Sequence, residues 1–281
     1  MDELRRRTAI VTGASRGIGV YIARALAAEG VDLALSARSL EPIQALAAEL
    51  AASGVKCVAI ASDVGKPEDR ERLLSRAAEE LGAIDFLVNN AALETNLDFV
   101  GFTAAELEEL VQVDLIAPML LTRALLPSML ERKSGHIVNI ASLAGKSATP
   151  YNVPYSAAKG GLILFTHSLR AELRDTGVSC SVVVPGFISE TGMYASKERE
   201  HGVNTPAIVG TSPPEAVAQA VVRALKKDAL EVIVSPGPMR WIQAFNQLAP
   251  ESFAWWTARL GAMEPFKKVA ASARPESKEP R

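Results

Sequence analysis

The 281-residue chain is poor in cysteine, histidine and aromatic residues: two cysteines, three histidines and 5% Phe, Trp and Tyr together. Cys57 and Cys180 each sit inside an apolar run, so they read as small reduced core residues, not as a disulfide framework or a zinc site. His136, His167 and His201 show no ligand spacing, and no metal is expected. An excess of one charge is also missing. Lys and Arg number 30 against 32 Asp and Glu, a formal net charge of −2, which leaves no basic field of the kind that gathers nucleic acid. No stretch approaches the ~18 unbroken apolar residues of a membrane-spanning helix. Arg5-Arg6-Arg7 could open an export signal, but only Ala9 to Val11 follow before a glycine loop begins, so that reading fails. A soluble, cytoplasmic protein is the expectation.

What is present is a regular alternation. Short β-rich runs at 8–12, 31–36, 55–61, 84–89, 136–141, 178–184 and 231–235 alternate with helical patterns at 17–29, 40–52, 67–81, 103–132, 154–175 and 214–226. Several runs are apolar at every position, as parallel strands buried on both faces are. Thr103 and Glu106 have capping-box spacing, and Pro67 and Pro154 suit helix starts. The pattern predicts an α/β fold, a doubly wound, Rossmann-like parallel sheet of seven strands forming one domain over 1–235. Two segments break the rhythm. Residues 189–213 read as a lid over a site, and 236–281 as an aromatic-rich helical extension with a disordered polar end.

The first strand runs into Thr12-Gly13-Ala14-Ser15-Arg16-Gly17-Ile18-Gly19 and then a helix. Glycines there permit a tight turn and let backbone amides approach a pyrophosphate, which the helix N-terminus favours electrostatically. The spacing is GxxxGxG, not the commoner GxGxxG. At the end of the second strand a carboxylate would bind an adenosine ribose, whereas an arginine would neutralise a 2′-phosphate. This chain has Ala37 followed by Arg38, with Arg16 as a second cation in the glycine loop, and the pair argues for NADP(H).

Tyr155 and Lys159 stand one helical turn apart, so both face the same way. A tyrosine titrates near ~10, and a neighbouring ammonium would lower that value. Ser142 lies at the carboxyl end of the fifth strand, thirteen residues before the tyrosine, where its hydroxyl could hold a carbonyl oxygen beside the phenol. YxxxK alone means little; behind a GxxxGxG loop and after such a serine it is specific. The chain resembles the short-chain dehydrogenase/reductase family from about residue 6 to 235, through that loop, Asp63-Val64, Asn89-Asn90-Ala91-Ala92, Ser142, Tyr155-Ser156-Ala157-Ala158-Lys159, and Pro185-Gly186 followed by Thr191. The resemblance implies Tyr155 as general acid/base, Ser142 as the group orienting the substrate carbonyl, and Lys159 as the residue that lowers the tyrosine pKa and holds the nicotinamide ribose. It also implies that Asp63 and Val64 meet the adenine, that Asn90 and Ala91 support the cofactor through the strand edge, and that Ile188 and Thr191 meet the carboxamide, beside Pro185 and Gly186.

One position departs from that pattern. Asp114 stands where the family usually has an asparagine whose main-chain carbonyl binds a relay water. Pro118, four residues on, has no N–H, so the carbonyl of Asp114 would lack its helical donor and the backbone role would survive. Activity is expected to be retained.

Leu93, Leu97, Leu143, Tyr151, Phe187, Met193 and Tyr194 would wall the pocket, with Glu94 and Glu190 its only obvious charges, and an apolar list suits a lipid-like, steroid-like or aromatic carbonyl or alcohol. Trp241, Phe245, Leu248, Trp255, Trp256 and Leu260 in the extension, flanked by Arg240, Arg259, Lys267 and Lys268, could pack on the domain, extend a subunit contact or rest on a membrane surface. Packing on the domain is the leading expectation. The resemblance implies a homodimer or homotetramer built on the helices at 103–132 and 154–175. Rival readings are a non-catalytic NADP sensor, an epimerase or dehydratase on the same scaffold, and an NAD-linked alcohol dehydrogenase, against which Arg38 stands.

Overall fold

A computed structural model describes residues 4–191, 210–260 and 264–272. Its centre is a seven-stranded sheet: β1 (Thr8–Thr12), β2 (Asp32–Ala37), β3 (Cys57–Ala61), β4 (Phe86–Asn89), β5 (Gly135–Ile140), β6 (Val178–Pro185) and β7 (Glu231–Val234). The order is β3-β2-β1-β4-β5-β6-β7, every neighbouring pair parallel. The fold is therefore α/β and Rossmann-like. The strands lie within a residue or two of their expected bounds.

Alternation along each strand feeds two apolar cores. In β1, Ala9 and Val11 point to one, with Ile22 and Leu26 of α1 (Ile18–Ala28), Ile43 and Leu46 of α2 (Leu40–Ala51) and Val217 and Val221 of α7 (Pro214–Lys227). Ile10 points to the other, with Leu73 of α3 (Pro67–Leu81), Leu121 and Met129 of α5 (Ala117–Glu131) and Leu169 of α6 (Val153–Glu172). The side chains on each helix recur at three or four residues, so one stripe of each helix faces the sheet.

The helix expected over 103–132 is divided. α4 (Ala104–Val111) opens on a complete capping box between Thr103 and Glu106, gives way to a π-helical turn at Gln112–Ile116, and continues as α5. The whole run, Ala104–Glu131, is long and apolar enough to cross a membrane by length and composition alone. Its apolar positions are nonetheless those of a helix covering a sheet, since Leu121, Leu125 and Met129 enter the core.

Past β7 come α8 (Met239–Leu248), α9 (Pro250–Arg259) and α10 (Glu264–Ser272), which make the expected helical extension. The ends of the 189–213 segment meet: Ser189 N–H donates to Ser212 O (3.0 Å) and Ser212 N–H to Phe187 O (2.9 Å). Met193, Tyr194, His201, most of the expected lid and the polar end beyond 272 lie outside the described residues.

Candidate active site

In a parallel sheet wound in both directions from one point, the crevice opens where the order reverses, here between β1 and β4. The glycine loop crosses it. Gly13 and Gly17 have φ of 68° and 62°, a region that disfavours side chains. A Cβ at Gly13 would stand 2.8 Å from Ala91 Cα, and one at Gly19 would strike the Gly13 carbonyl oxygen. Asn90 and Ala91 hold the loop from β4. Asn90 Nδ2 donates to Thr12 O (2.9 Å) and Gly13 O (3.1 Å), while Thr12 Oγ1 accepts from the N–H of Asn90 (3.0 Å) and of Ala91 (3.1 Å). The first turn of α1 carries no acidic residue and no side-chain cap, so its amides suit an anion.

Ala14 N–H donates to Ser36 O (3.0 Å), which seats the end of β2 against this loop. Ser15 is half-buried, and the exposed Arg16 and Arg38 flank the same corner, with no ion pair to either among the described residues. Past β3, Val64 is buried and Asp63 Oδ1 accepts from Gly65 N–H at 3.0 Å, closing a tight turn. A cradle of glycines, an open helix terminus and two cations fits a dinucleotide phosphate. Pro185 ends β6, Gly186 N–H just past it donates to Val234 O (2.8 Å), and Ile188 is buried, with Thr191 N–H donating to Ser189 O (2.6 Å) at the last described residue of that stretch.

Across the crevice, Ser142 leaves β5 as the cap of a short 3₁₀ turn, Leu143–Gly145, and accepts from Ala144 N–H at 3.2 Å. Only a glycine fits at 145, where a Cβ would lie 2.6 Å from Gly160 N on α6. That close approach brings Ser142 to Tyr155. Tyr155 and Lys159, on consecutive turns of α6, are 6% and 2% exposed. Lys159 Nζ lies 5.6 Å from the Tyr155 ring centre and donates to Ile140 O at 3.2 Å. Burial pushes the tyrosine well above its ordinary value, Glu94 and Asp114 push it the same way, and a hydrogen bond from Ser142 pulls it down. The lowering expected from Lys159 is not among these influences.

Asp114 supplies the reason. It is fully buried in the π turn; Oδ1 accepts from Leu93 N–H (2.7 Å) and Oδ2 lies 3.1 Å from Lys159 Nζ. The ammonium is shared with a carboxylate instead of acting on the phenol alone. Burial raises the Asp114 carboxyl, with Lys159 opposing that rise. Ala117 N–H reaches back to Gln112 O, and Pro118 has no N–H, so the helical ladder loses a donor beside residues 113 and 114.

Three further sets of bonds were invisible to motif reasoning. Asn89 Nδ2 donates to Asn139 Oδ1 (2.8 Å) and Asn139 Nδ2 to Thr166 Oγ1 (2.9 Å), a buried chain that ties β4, β5 and α6 beneath the site. Asn152, which begins α6, donates to Glu94 Oε1 at 2.6 Å, and Leu97 N–H donates to Tyr151 O at 2.9 Å. These bonds fasten the segment after β4 to the start of the helix that carries Tyr155. Tyr151 holds φ 62°, a strained conformation for a bulky residue that those bonds secure. Of the expected pocket wall, Leu93 packs beside Tyr155, Leu143 touches the Gly186 position, and Phe187 meets Phe266 of α10 with ring centres 6.0 Å apart.

The opposite edge of the sheet carries a different cluster. A cleft of 650 Å³ there is lined by residues including His136, Arg170 and Asp228. His136 Nε2 lies 2.7 Å from Ser181 Oγ, and Arg170 holds Asp228 with both guanidinium ends. It reads as a lock between α6, β5, β6 and the end of α7. Burial pushes Cys57 and Cys180 up to about 12, as inert core thiols require.

Comparison with known proteins agrees with this geometry. A family model described as short chain dehydrogenase matches residues 7–202. A protein of Nostoc sp. named ketoacyl reductase HetN is 44% identical over 90% of this chain and 88% of its own length. A 3-oxoacyl-[acyl-carrier-protein] reductase of Synechocystis sp. is 34% identical over 79% of this chain and 90% of its own. Among solved structures, a metagenomic short-chain oxidoreductase in complex with NADP superposes with a TM-score of 0.69 at 33% identity, covering 83% of this chain and 98% of the other. With the glycine loop, the serine and the tyrosine–lysine pair assembled at one sheet edge, the chain belongs to the short chain dehydrogenase family of oxidoreductases.

Proposed function

We propose that this oxidoreductase uses NADP(H) to interconvert a carbonyl and an alcohol on an apolar substrate, with Tyr155 as general acid/base. The observation that carries the reading is the placement of Tyr155, Ser142 and Lys159 beside a loop shaped for a dinucleotide. Ser142 would hold the carbonyl oxygen next to the phenol. Tyr155 would donate its proton to that oxygen in reduction and take it back in oxidation. The bound nicotinamide supplies or accepts the hydride. Lys159 would bind the nicotinamide ribose, with the Asp114 carboxylate 3.1 Å from its Nζ fixing its position. Arg16 and Arg38, exposed at the corner where the second strand ends, favour the 2′-phosphate of NADP(H).

Leu93, Leu143, Tyr151 and Phe187 give the pocket an apolar wall. Two relatives are named for ketoacyl reduction, a carbonyl carried on an apolar chain, and the same chemical class is proposed here. A homodimer or homotetramer through α5 and α6 is also proposed, with Met119, Leu120 and Leu164 (66% exposed) as the apolar contact.

The test is titration of the purified protein with NADPH and NADH, followed by turnover on a panel of apolar ketones. Tighter NADPH binding, reduced at least about tenfold by Arg38→Asp, is expected. Tyr155→Phe should cut turnover by about a hundredfold or more while cofactor still binds. Equal NADH binding would remove the arginine argument, and cofactor binding with no turnover on a broad panel would favour a sensor.

A further inference from the structure

We propose that α8 and α9 form a docking surface for an anionic lipid bilayer. The helix α8 is turned inside out. Met239, Gln243 and Asn246 recur at helical spacing and face the domain: Met239 and Gln243 are buried, Gln243 Nε2 donates to Ser147 Oγ (2.8 Å), and Asn246 Nδ2 donates to Lys146 O (2.8 Å). Trp241, Phe245 and Leu248 recur at the same spacing on the opposite side, 79%, 43% and 86% exposed. Beyond Met239, amides thus point inward and large apolar groups outward, the reverse of a helix whose apolar stripe covers its own core.

Helix α9 extends that surface. No residue of α9 is buried; Trp255 and Trp256 are more than half exposed, and Phe253 meets Phe245 edge-on at 6.1 Å. Both ends of the excursion are anchored, because α8 is bonded to the loop at 146–147 and α10 returns Phe266 to Phe187 and buries Val269 and Ala270. The leading expectation, packing of the aromatics on the domain, therefore does not hold for the three indoles.

The charges choose the occupant. Arg240, Arg259, Lys267 and Lys268 face Glu251 and Glu264 in number, so 239–272 carries +2 within a chain of net −2. Arg259 lies over the Trp255 ring at 5.3 Å. A second copy docked by two-fold symmetry would press basic rims against each other. A bilayer interface instead takes indoles at headgroup depth and offers anionic phosphates to the flanking cations. The docking does not depend on how the substrate is read, although it would hold the Phe187 wall beside a reservoir of apolar molecules.

All three tryptophans of the chain lie in this patch, so tryptophan fluorescence of the full-length protein, excited selectively over its four tyrosines, reports on it alone. With phosphatidylcholine vesicles containing phosphatidylglycerol, emission should shift to the blue, brominated lipid should quench it, and the protein should sediment with the vesicles. Binding to vesicles of phosphatidylcholine alone should be weaker by roughly tenfold or more, and salt should weaken the anionic case. The double variant Trp241→Ser, Leu248→Ser should lose sedimentation and keep its melting temperature, since both side chains are mostly in water. Unshifted, unquenched fluorescence with no sedimentation of the unmodified protein would overturn the proposal, even if the variant fails to fold. Retained sedimentation of the folded variant would overturn it too. A smaller oligomer in the variant, without lipid binding by the parent, would give the patch to a second copy.

Discussion

At the scale of single residues, the acid–base character of the site turns on burial and on two carboxylates. Burial holds the Tyr155 proton on first, Glu94 and Asp114 add to it, and Ser142 alone opposes them. A general acid for reduction must be protonated, so reductive activity should persist into alkaline solution and fall only as pH passes the raised tyrosine value. Oxidation needs the phenolate and should rise over that same range. Asp114→Asn removes one of the two carboxylates, so both limbs should move to lower pH, with turnover near neutrality changed by less than about tenfold. Profiles of kcat/KM against pH in both directions check this, and a gain of several orders of magnitude would show the native aspartate to be crippling. Gly19→Ala drives a methyl into the Gly13 carbonyl and to within 2.7 Å of Asn90 Nδ2. It should cost about 1–3 kcal/mol in a urea melt and weaken cofactor binding in the same titration. The loop, serine, tyrosine, lysine and arginine positions were legible because each belongs to a short local pattern. Glu94 was legible only as a pocket charge, because its segment has no periodicity and its bond reaches Asn152, 58 positions away.

At the scale of elements, the strands were readable for one reason: strands covered on both faces are continuous apolar runs with helices between them. The division at Gln112–Ile116 was not readable. Pro118 marked a lost donor there, but a π turn is stabilised by what its residues meet in space, here Lys159 and Leu93 with Asp114. The inverted face of α8 was likewise hidden, since the sequence shows the aromatics but not that Gln243 and Asn246 find partners beneath. The helix start at Thr103 was legible, and its two reciprocal bonds give it a measurable worth. Thr103→Ala should lower stability by about 1 kcal/mol by denaturant unfolding and leave the kinetic constants unchanged, because both residues of the box are exposed and bonded to each other.

At the scale of the whole molecule, the two ends of the sheet carry different electrical tasks. Burial pushes His136 down to about 4 from its ordinary 6.5. Between those values an unfolded chain binds a proton that the native one refuses, so stability should fall as pH drops from 6.5 and level off near 4. The loss from this one group should reach about 3 kcal/mol, measured as the urea midpoint at stepped pH, and His136→Asn should flatten the slope. The carboxyl end, by contrast, titrates through Tyr155 on the alkaline side. The sheet therefore separates acid inactivation from alkaline inactivation in kind as well as in space. Activity lost to acid should decay over time, follow an unfolding rate and be rescued by cofactor that binds only the native state. Reductive activity lost to alkali should vanish within mixing time and return at once on neutralisation, because no part of the chain has to refold.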